Sequence, residues 1–192
     1  MITEIKSKAL AEHVPIIKDG GLNFILTLIK DKGYKNILEL GTAVGYSSMN
    51  MALLAEDILI DTIERDPEMY HQACENVERA ALKEQIKLHF MPIEDFHTSK
   101  QYDLIFVDAA KAQYGRYLEQ FKDNLAPGGL FVFDNMVFHG LIYDIANIKS
   151  RNTRALVRKI VAFREAIQKD ERFDIMFYDD VGDGLLVVGK RQ

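Results

Sequence analysis

The chain has 192 residues, 48% of them hydrophobic and 28% charged, with a formal net charge of −5 and one cysteine. That size and apolar content suit a single domain over residues 1–192 with a core of its own. No apolar run approaches the roughly 20 residues of a membrane span. Cys74 has no partner for an internal disulfide, which makes a reducing cytoplasm the simplest compartment, and the net negative charge argues weakly against a nucleic-acid partner.

Residues 1–13 are polar and charged and lack the apolar centre of a signal peptide. Leu22, Ile25, Leu26 and Ile29 recur at helical spacing and predict one buried helix face. Residues 36–40 read as a first strand, 46–55 as a helix and 58–64 as a second strand. Pro67 opens another helix, since proline suits a first helical turn. Residues 86–91 and 104–108 read as the third and fourth strands. The pattern over 111–124 is helical and stops before Ala126-Pro127-Gly128-Gly129, a turn signal. A fifth strand follows at 130–134 and a long helix at 152–168. Two last strands, 173–178 and 185–188, flank Gly182-Asp183-Gly184.

Strand and helix alternate, which predicts an α/β fold: seven strands, mostly parallel, with helices on both faces. The last two strands lie too close for a crossover helix and should pair antiparallel. Open sheets of this kind bind ligands beyond the carboxyl ends of their strands. Glu39, Glu64, Asp108 and Asp134 all fall at or beside such ends.

Glu39-Leu40-Gly41-Thr42-Ala43-Val44-Gly45-Tyr46-Ser47 follows the first strand and opens a helix. Gly41 and Gly45 let backbone approach a ligand or take unusual dihedrals. Ala43 holds the place where a dinucleotide fingerprint wants its middle glycine for a pyrophosphate. Glu64, about 20 residues on, is placed to accept both hydroxyls of a ribose. A nucleoside without a pyrophosphate points to S-adenosylmethionine; a plain tight turn with a surface acid is the plainer reading. Pro92 and Ile93, after the third strand, fit an apolar wall beside an adenine, or a simple strand exit.

Asp108 closes Leu104-Ile105-Phe106-Val107, and Asp134 closes Leu130-Phe131-Val132-Phe133. A carboxylate at the end of an apolar strand is costly to bury unless it is paired or bound to a cation. With the neutral oxygen of Asn135, the set suits Mg2+, with Mn2+ or Ca2+ as substitutes. The five histidines show no zinc-ligand spacing. Two helix N-caps would explain the same acids. Lys111, three residues past Asp108, is placed to hold or accept a proton, or is a surface lysine. Residues 136–150 read as a wall or lid over a substrate, or as a structural loop. Lys149, Arg151, Arg154, Arg158 and Lys159 form a basic run without an acid, which fits either a phosphate-binding face or a solvated helix face.

These segments, with Ile63-Glu64-Arg65-Asp66, Val107 through Tyr114, Pro127-Gly128-Gly129 and Gly182-Asp183-Gly184-Leu185, resemble the cation-dependent class I O-methyltransferases, the group of the catechol and caffeoyl-CoA enzymes. The resemblance covers nearly the whole chain after about Glu12. Within the group, His13-Val14-Pro15-Ile16 and the basic run look most like the bacterial tRNA 5-hydroxyuridine methyltransferases. The resemblance implies a Rossmann-like sheet. It implies cofactor contacts from Val14, Glu39, Gly41, Gly45, Ser47, Glu64, Pro92, Ile93 and Asp108, and a divalent ion on Asp108, Asp134 and Asn135. It implies Lys111, with Asp108, as the catalytic pair, and a homodimer. The implied acceptor is a tRNA anticodon loop met by Lys149, Arg151, Arg154 and Arg158, or a small catechol-like molecule. Two features depart from the group: the segment before His13 is short, and Met91-Pro92-Ile93 replaces a small-acidic-small pattern.

Overall fold

The computed structural model describes residues 1–191. The elements run α1 (Ile2–Ala11), α2 (Asp19–Lys32), β1 (Asn36–Leu40), α3 (Tyr46–Ala52), β2 (Leu59–Glu64), α4 (Pro67–Arg79), β3 (Ile86–Phe90), β4 (Tyr102–Val107), α5 (Tyr114–Phe121), β5 (Leu125–Phe133), α6 (Arg151–Gln168), β6 (Phe173–Tyr178) and β7 (Leu185–Lys190). The strands form one sheet in the order β3-β2-β1-β4-β5-β7-β6. Neighbours from β3 to β5 are parallel, and β7 runs antiparallel to both β5 and β6. This is the predicted architecture. The order reverses between β1 and β4, and the crevice at that switch is where such sheets take ligands.

Each face of the sheet carries its own core. Ile25, Ile29, Met49 and Met51 from α2 and α3 cover Ile37, Ile60 and Phe106 on one side. Phe121 and Ile160 from α5 and α6 cover Ile105, Phe131 and Val188 on the other. Burial on both faces is why β1, β4 and β5 read as continuous apolar runs. Caps set the helix starts and stops. Asp66 accepts from Glu68 N and Met69 N ahead of Pro67, Ser150 accepts from Thr153 N ahead of α6, and Gly33 ends α2 in the left-handed region.

Three differences from the sequence reading go beyond a shift of a few residues at an element's end. Residues 2–11 form α1, which docks Ile5 and Ala9 against the first core. The glycine run before 130 lies inside β5, which starts at Leu125. The register with β4 shifts between Tyr102 and Leu104, and Gly128 sits at φ +79°, so the residues that signal a turn make an irregular strand entry. The helix expected over 111–124 is helical only over Tyr114–Phe121, with 3-10 turns at Lys111–Gln113 and Lys122–Asn124.

One polar cluster interrupts the apolar packing. Asp61 on β2 accepts from His89 Nε2 at 2.7 Å, Lys100 Nζ at 2.8 Å and Tyr102 Oη at 3.1 Å. Burial alone would raise its pKa, but these donors outweigh burial and hold it at about 2, below an ordinary 3.8. The stabilisation is complete above the unfolded value and disappears as pH falls through the folded one. Urea titrations should therefore lose about 2 kcal/mol between pH 4 and pH 2 through this group. Asp61→Asn should remove that slope while lowering stability at pH 7.

Candidate functional site

At the carboxyl ends of β1, β2 and β4 the chain leaves a cavity of about 300 Å³, the lower end of the size that takes a small ligand. Val14, the turn at Gly41 and Ala43, Ser47, Glu64, Ile93, Asp108 and Lys111 all stand on its wall.

Gly41 explains how the wall closes. It sits at φ +102°, and a Cβ there would lie 2.4 Å from the Asp108 carbonyl oxygen. Gly41 N and Thr42 N both donate to Ile63 O, while Asp108 N donates to Leu40 O. Three strand ends are thereby held together without a side chain between them. Gly45 lies off the wall; it takes φ +81° at the start of α3, and its missing Cβ faces Ala73.

The two glutamates of this region divide the work. Glu64 Oε2 accepts from Ala43 N at 2.9 Å, and Oε1 accepts from Arg65 N and Asp66 N at 2.8 Å each. An ionised carboxylate has about four acceptor sites, so three donors leave about one for a ligand hydroxyl rather than the pair expected. Glu39, expected on the wall, is fully buried beneath it. Ser47 Oγ donates to Glu39 Oε1, and Thr62 Oγ1 donates to Oε2 at 2.5 Å. Burial pushes the Glu39 carboxyl up to about 7 against the opposing pull of those hydroxyls. Its reach to the cavity is through Ser47. Pro92 also stays off the wall; it precedes a 3-10 turn, Ile93–Asp95, that presents Ile93 instead.

Asp108 and Asp134 emerge next to each other because Val107 and Phe133 are paired in register. Asp134 is 2% exposed, and its Oδ1 accepts from Asn135 N at 2.7 Å. Burial, and then the neighbouring charge of Asp108, raise its pKa to about 7. Lys111 Nζ lies 3.3 Å from Asp108 Oδ1. Asn135 sits at φ +57° and donates from Nδ2 to Asp183 Oδ2 at 3.1 Å. Among the described residues no three His, Cys, Asp or Glu side chains converge as a metal cluster. What the strand ends offer is two carboxylates and one amide oxygen, hard donors that fit Mg2+ better than a transition metal. A cation between the acids would remove the repulsion that perturbs Asp134.

The basic run is less uniform than its sequence. Lys149, Arg151, Arg158 and Lys159 are exposed. Arg154 instead donates from Nε and Nη2 to Ile148 O at 3.0 and 2.5 Å, closing the loop ahead of α6. That commits two of its three guanidinium nitrogens to the chain itself. Helix α6 packs on the 3-10 turn that begins at Lys111. In residues 136–150, Phe138 and His139 take positive φ, and Tyr143 Oη donates to Asp179 Oδ2 at 2.9 Å. Tyr114 is buried and donates to Asp134 O at 2.8 Å, while Tyr117 reaches the cavity wall. Sequence reasoning assigned no role to Asp183, which is buried and touches Asn135; an acid set between two glycines was the only sign of it.

A family described as O-methyltransferase matches residues 2–191. The caffeoyl-CoA O-methyltransferase of Populus kitakamiensis is 30% identical over 173 residues, covering 84% of this chain and 72% of that protein. A provisionally named caffeoyl-CoA O-methyltransferase from Staphylococcus aureus has a crystal structure that matches with a TM-score of 0.92 at 34% identity, covering 99% of this chain and 92% of that one. The O-methyltransferase from Bacillus cereus, crystallised in complex with SAH, matches with a TM-score of 0.82 at 25% identity, covering 99% and 90%.

Gly41→Ala tests the closure of the wall. Left-handed strain and a backbone clash together should lower the unfolding free energy by about 2 kcal/mol or more in urea titration. A change under 0.5 kcal/mol would show that β1 and β4 tolerate separation at their ends.

Proposed function

This chain belongs to the O-methyltransferase family, and from that premise we propose that it is an S-adenosylmethionine- and Mg2+-dependent enzyme that converts 5-hydroxyuridine at the tRNA wobble position to 5-methoxyuridine. S-adenosylmethionine dependence is common ground with the SAH-bound relative. The observation that carries the metal-assisted reading is the register of β4 and β5, which brings Asp108 and Asp134 together beside the cavity. The acceptor reading rests on α6, whose exposed Arg151, Arg158 and Lys159 share a helix that packs on the turn of Lys111.

When bound, S-adenosylmethionine supplies an electrophilic methyl group, and the cation supplies Lewis-acid stabilisation of an ionised hydroxyl. The remaining work falls to the chain. The Gly41 turn and Ser47 seat the methionine portion, Glu64 the ribose and Ile93 the adenine. Asp108, Asp134 and Asn135 hold the cation. Lys111 holds or accepts the acceptor's proton. Rigid strand ends then keep acceptor oxygen and methyl in line, which is chiefly a matter of positioning. A 5-hydroxyuracil ring carries its hydroxyl beside a 4-oxo group, much as a catechol carries two neighbouring oxygens. An unpaired anticodon base enters such a cleft without duplex opening.

Likeness to a plant caffeoyl-CoA enzyme favours a second reading, a small catechol-like acceptor. Nucleoside mass spectrometry of tRNA separates the two. Deleting the gene should deplete 5-methoxyuridine and accumulate 5-hydroxyuridine, whereas an unchanged profile would favour the small molecule.

Two sets of variants test the assignments. Lys111→Met should lower kcat by about 100-fold or more, with SAH affinity within twofold by calorimetry. Retention of a tenth of the activity would remove the proton role. Replacing Lys149, Arg151 and Arg158 together by Gln should lower kcat/KM on an anticodon stem-loop about 10-fold at low salt and flatten its salt dependence. Turnover of a free catechol should not change.

A further inference from the structure

The turn between β6 and β7 is clamped from both sides. Gly182 is at φ +64°, and a Cβ on it would lie 3.0 Å from Gly21 N, at the start of α2. Gly184 is at φ +83°, and a Cβ on it would lie 2.4 Å from the Val137 side chain. Val137 N donates to Asp183 O and Met136 N to Gly184 O, each at 2.9 Å. Asp183 therefore sits where the N-terminus of α2 meets the loop that leaves β5.

Its carboxylate, 4% exposed, receives groups from both partners. Oδ1 accepts from Lys18 Nζ at 3.0 Å and from His139 N at 2.8 Å. Oδ2 accepts from Asn135 Nδ2 at 3.1 Å, and His139 Nδ1 lies 3.4 Å away. The bond to Asn135 has a directional consequence. A carboxylate takes the NH₂ end of an amide and repels the oxygen end, so the carboxamide cannot flip without losing a charge-assisted bond and gaining a repulsion. With Nδ2 committed, Oδ1 is the only side-chain atom of Asn135 left for a cation. Asn135, Phe138 and His139 all take positive φ, a backbone that persists only where its surroundings determine it. Asp183 provides that through His139 N and the Asn135 amide together.

Lys18 extends the connection. It follows directly on Val14, Pro15, Ile16 and Ile17, which stand on the cavity wall, and its half-exposed side chain is the cation that compensates the buried Asp183.

We propose that Asp183 is a positioning residue that sets the Asn135 carboxamide for cation binding and, through Lys18, ties that amide to the segment 14–17 on the cofactor side. This rests on the reading of Asn135 as a ligand. Neither Asp183 nor Lys18 touches the ion or the acceptor; each acts through Asn135 and its loop.

The test is Mn2+ affinity, read from the free-ion signal in electron paramagnetic resonance, on the full chain. Asp183→Asn should weaken Mn2+ binding by about 10- to 100-fold, the usual effect of losing a group that orients a ligand. Lys18→Met should weaken it about threefold or more in folded, metal-free protein. Lys18→Arg should restore it. Lys35→Met, which breaks an ion pair with Asp57 away from the site, should leave Mn2+ binding unchanged. If Asp183→Asn does not fold, Lys18→Met, which acts on Asn135 only through Asp183, decides, and wild-type affinity there then overturns the positioning role as well as the link. Wild-type affinity in Lys18→Met overturns the link to the cofactor side, and wild-type affinity in a folded Asp183→Asn overturns the positioning role. Asp134→Asn distinguishes the deeper failure: Mn2+ binding as tight as wild type in that variant would overturn the metal reading itself.

Discussion

Parallel strands in register deliver their next residues to the same place. Because Val107 is paired with Phe133, the chain has no freedom to keep Asp108 and Asp134 apart once β4 and β5 have formed. Both strands are fixed by apolar burial on two faces, so the proximity of the acids follows from core packing. The energetic consequence falls on Asp134, where loss of water and a like charge act in the same direction. A stable fold tolerates this at neutral pH in two ways, by holding a proton or by holding a cation. Only the second leaves Asp134 useful as an oxygen donor, and the amide of Asn135 adds a donor without adding charge.

The same logic separates the acids on the cofactor side. Glu39 and Glu64 end adjacent strands, yet one is fully buried and the other stands on the cavity wall. Glu39 receives only side-chain hydroxyls, so it acts as a buried anchor for Ser47. Glu64 receives three backbone N–H groups from two turns and stays where a ligand reaches it. Gly41 makes both arrangements compatible, since any side chain there would strike the Asp108 backbone and push the turn after β1 away from the end of β4. The two halves of the site are thus one mechanical unit.

The succession of strands along the chain, the antiparallel finish and the strand-end acids were legible because burial on two faces writes continuous apolar runs, and a charged residue marks where each run stops. What was not legible depends on contacts far apart in the chain. Helix α1 has a short buried face, Ile5 and Ala9, whose meaning comes from the surface it docks on. Pro127-Gly128-Gly129 carries turn chemistry, but pairing with β4 and the bond from Tyr34 Oη to Gly128 O draw it into a strand. Arg154 is the same residue type as Arg151 and Arg158 and is set apart by having Ile148 O within reach. Asp183 is 48 residues from Asn135, and no local pattern announces that distance closed. Sequence periodicity reports burial well and reports hydrogen-bond partners poorly.

In the proposed reaction, a cation held by strand ends would select for two adjacent oxygens and for little else, because its ligands would see only the reacting edge of an acceptor. Discrimination between a nucleotide in RNA and a free catechol must then come from surfaces outside that edge. Two are available, and both are joined to the site. Residues 136–150 are held at Tyr143 by Asp179, which Arg164 grips through two bonds of 2.8 Å while lying 4.1 Å over the Phe177 ring. Helix α6 supplies both Arg164 to that anchorage and the exposed Arg151 and Arg158 to solvent. The loop at Tyr143 is therefore tied, through Asp179 and Arg164, to the helix that carries the positive charge. Under the proposed tRNA reading, phosphate contacts on one face of α6 and loop contacts on the other would act on the same helix. On that reading, affinity for a polyanion would bear on the loop's position, an influence that a small neutral acceptor, touching only the edge, would have no means to exert.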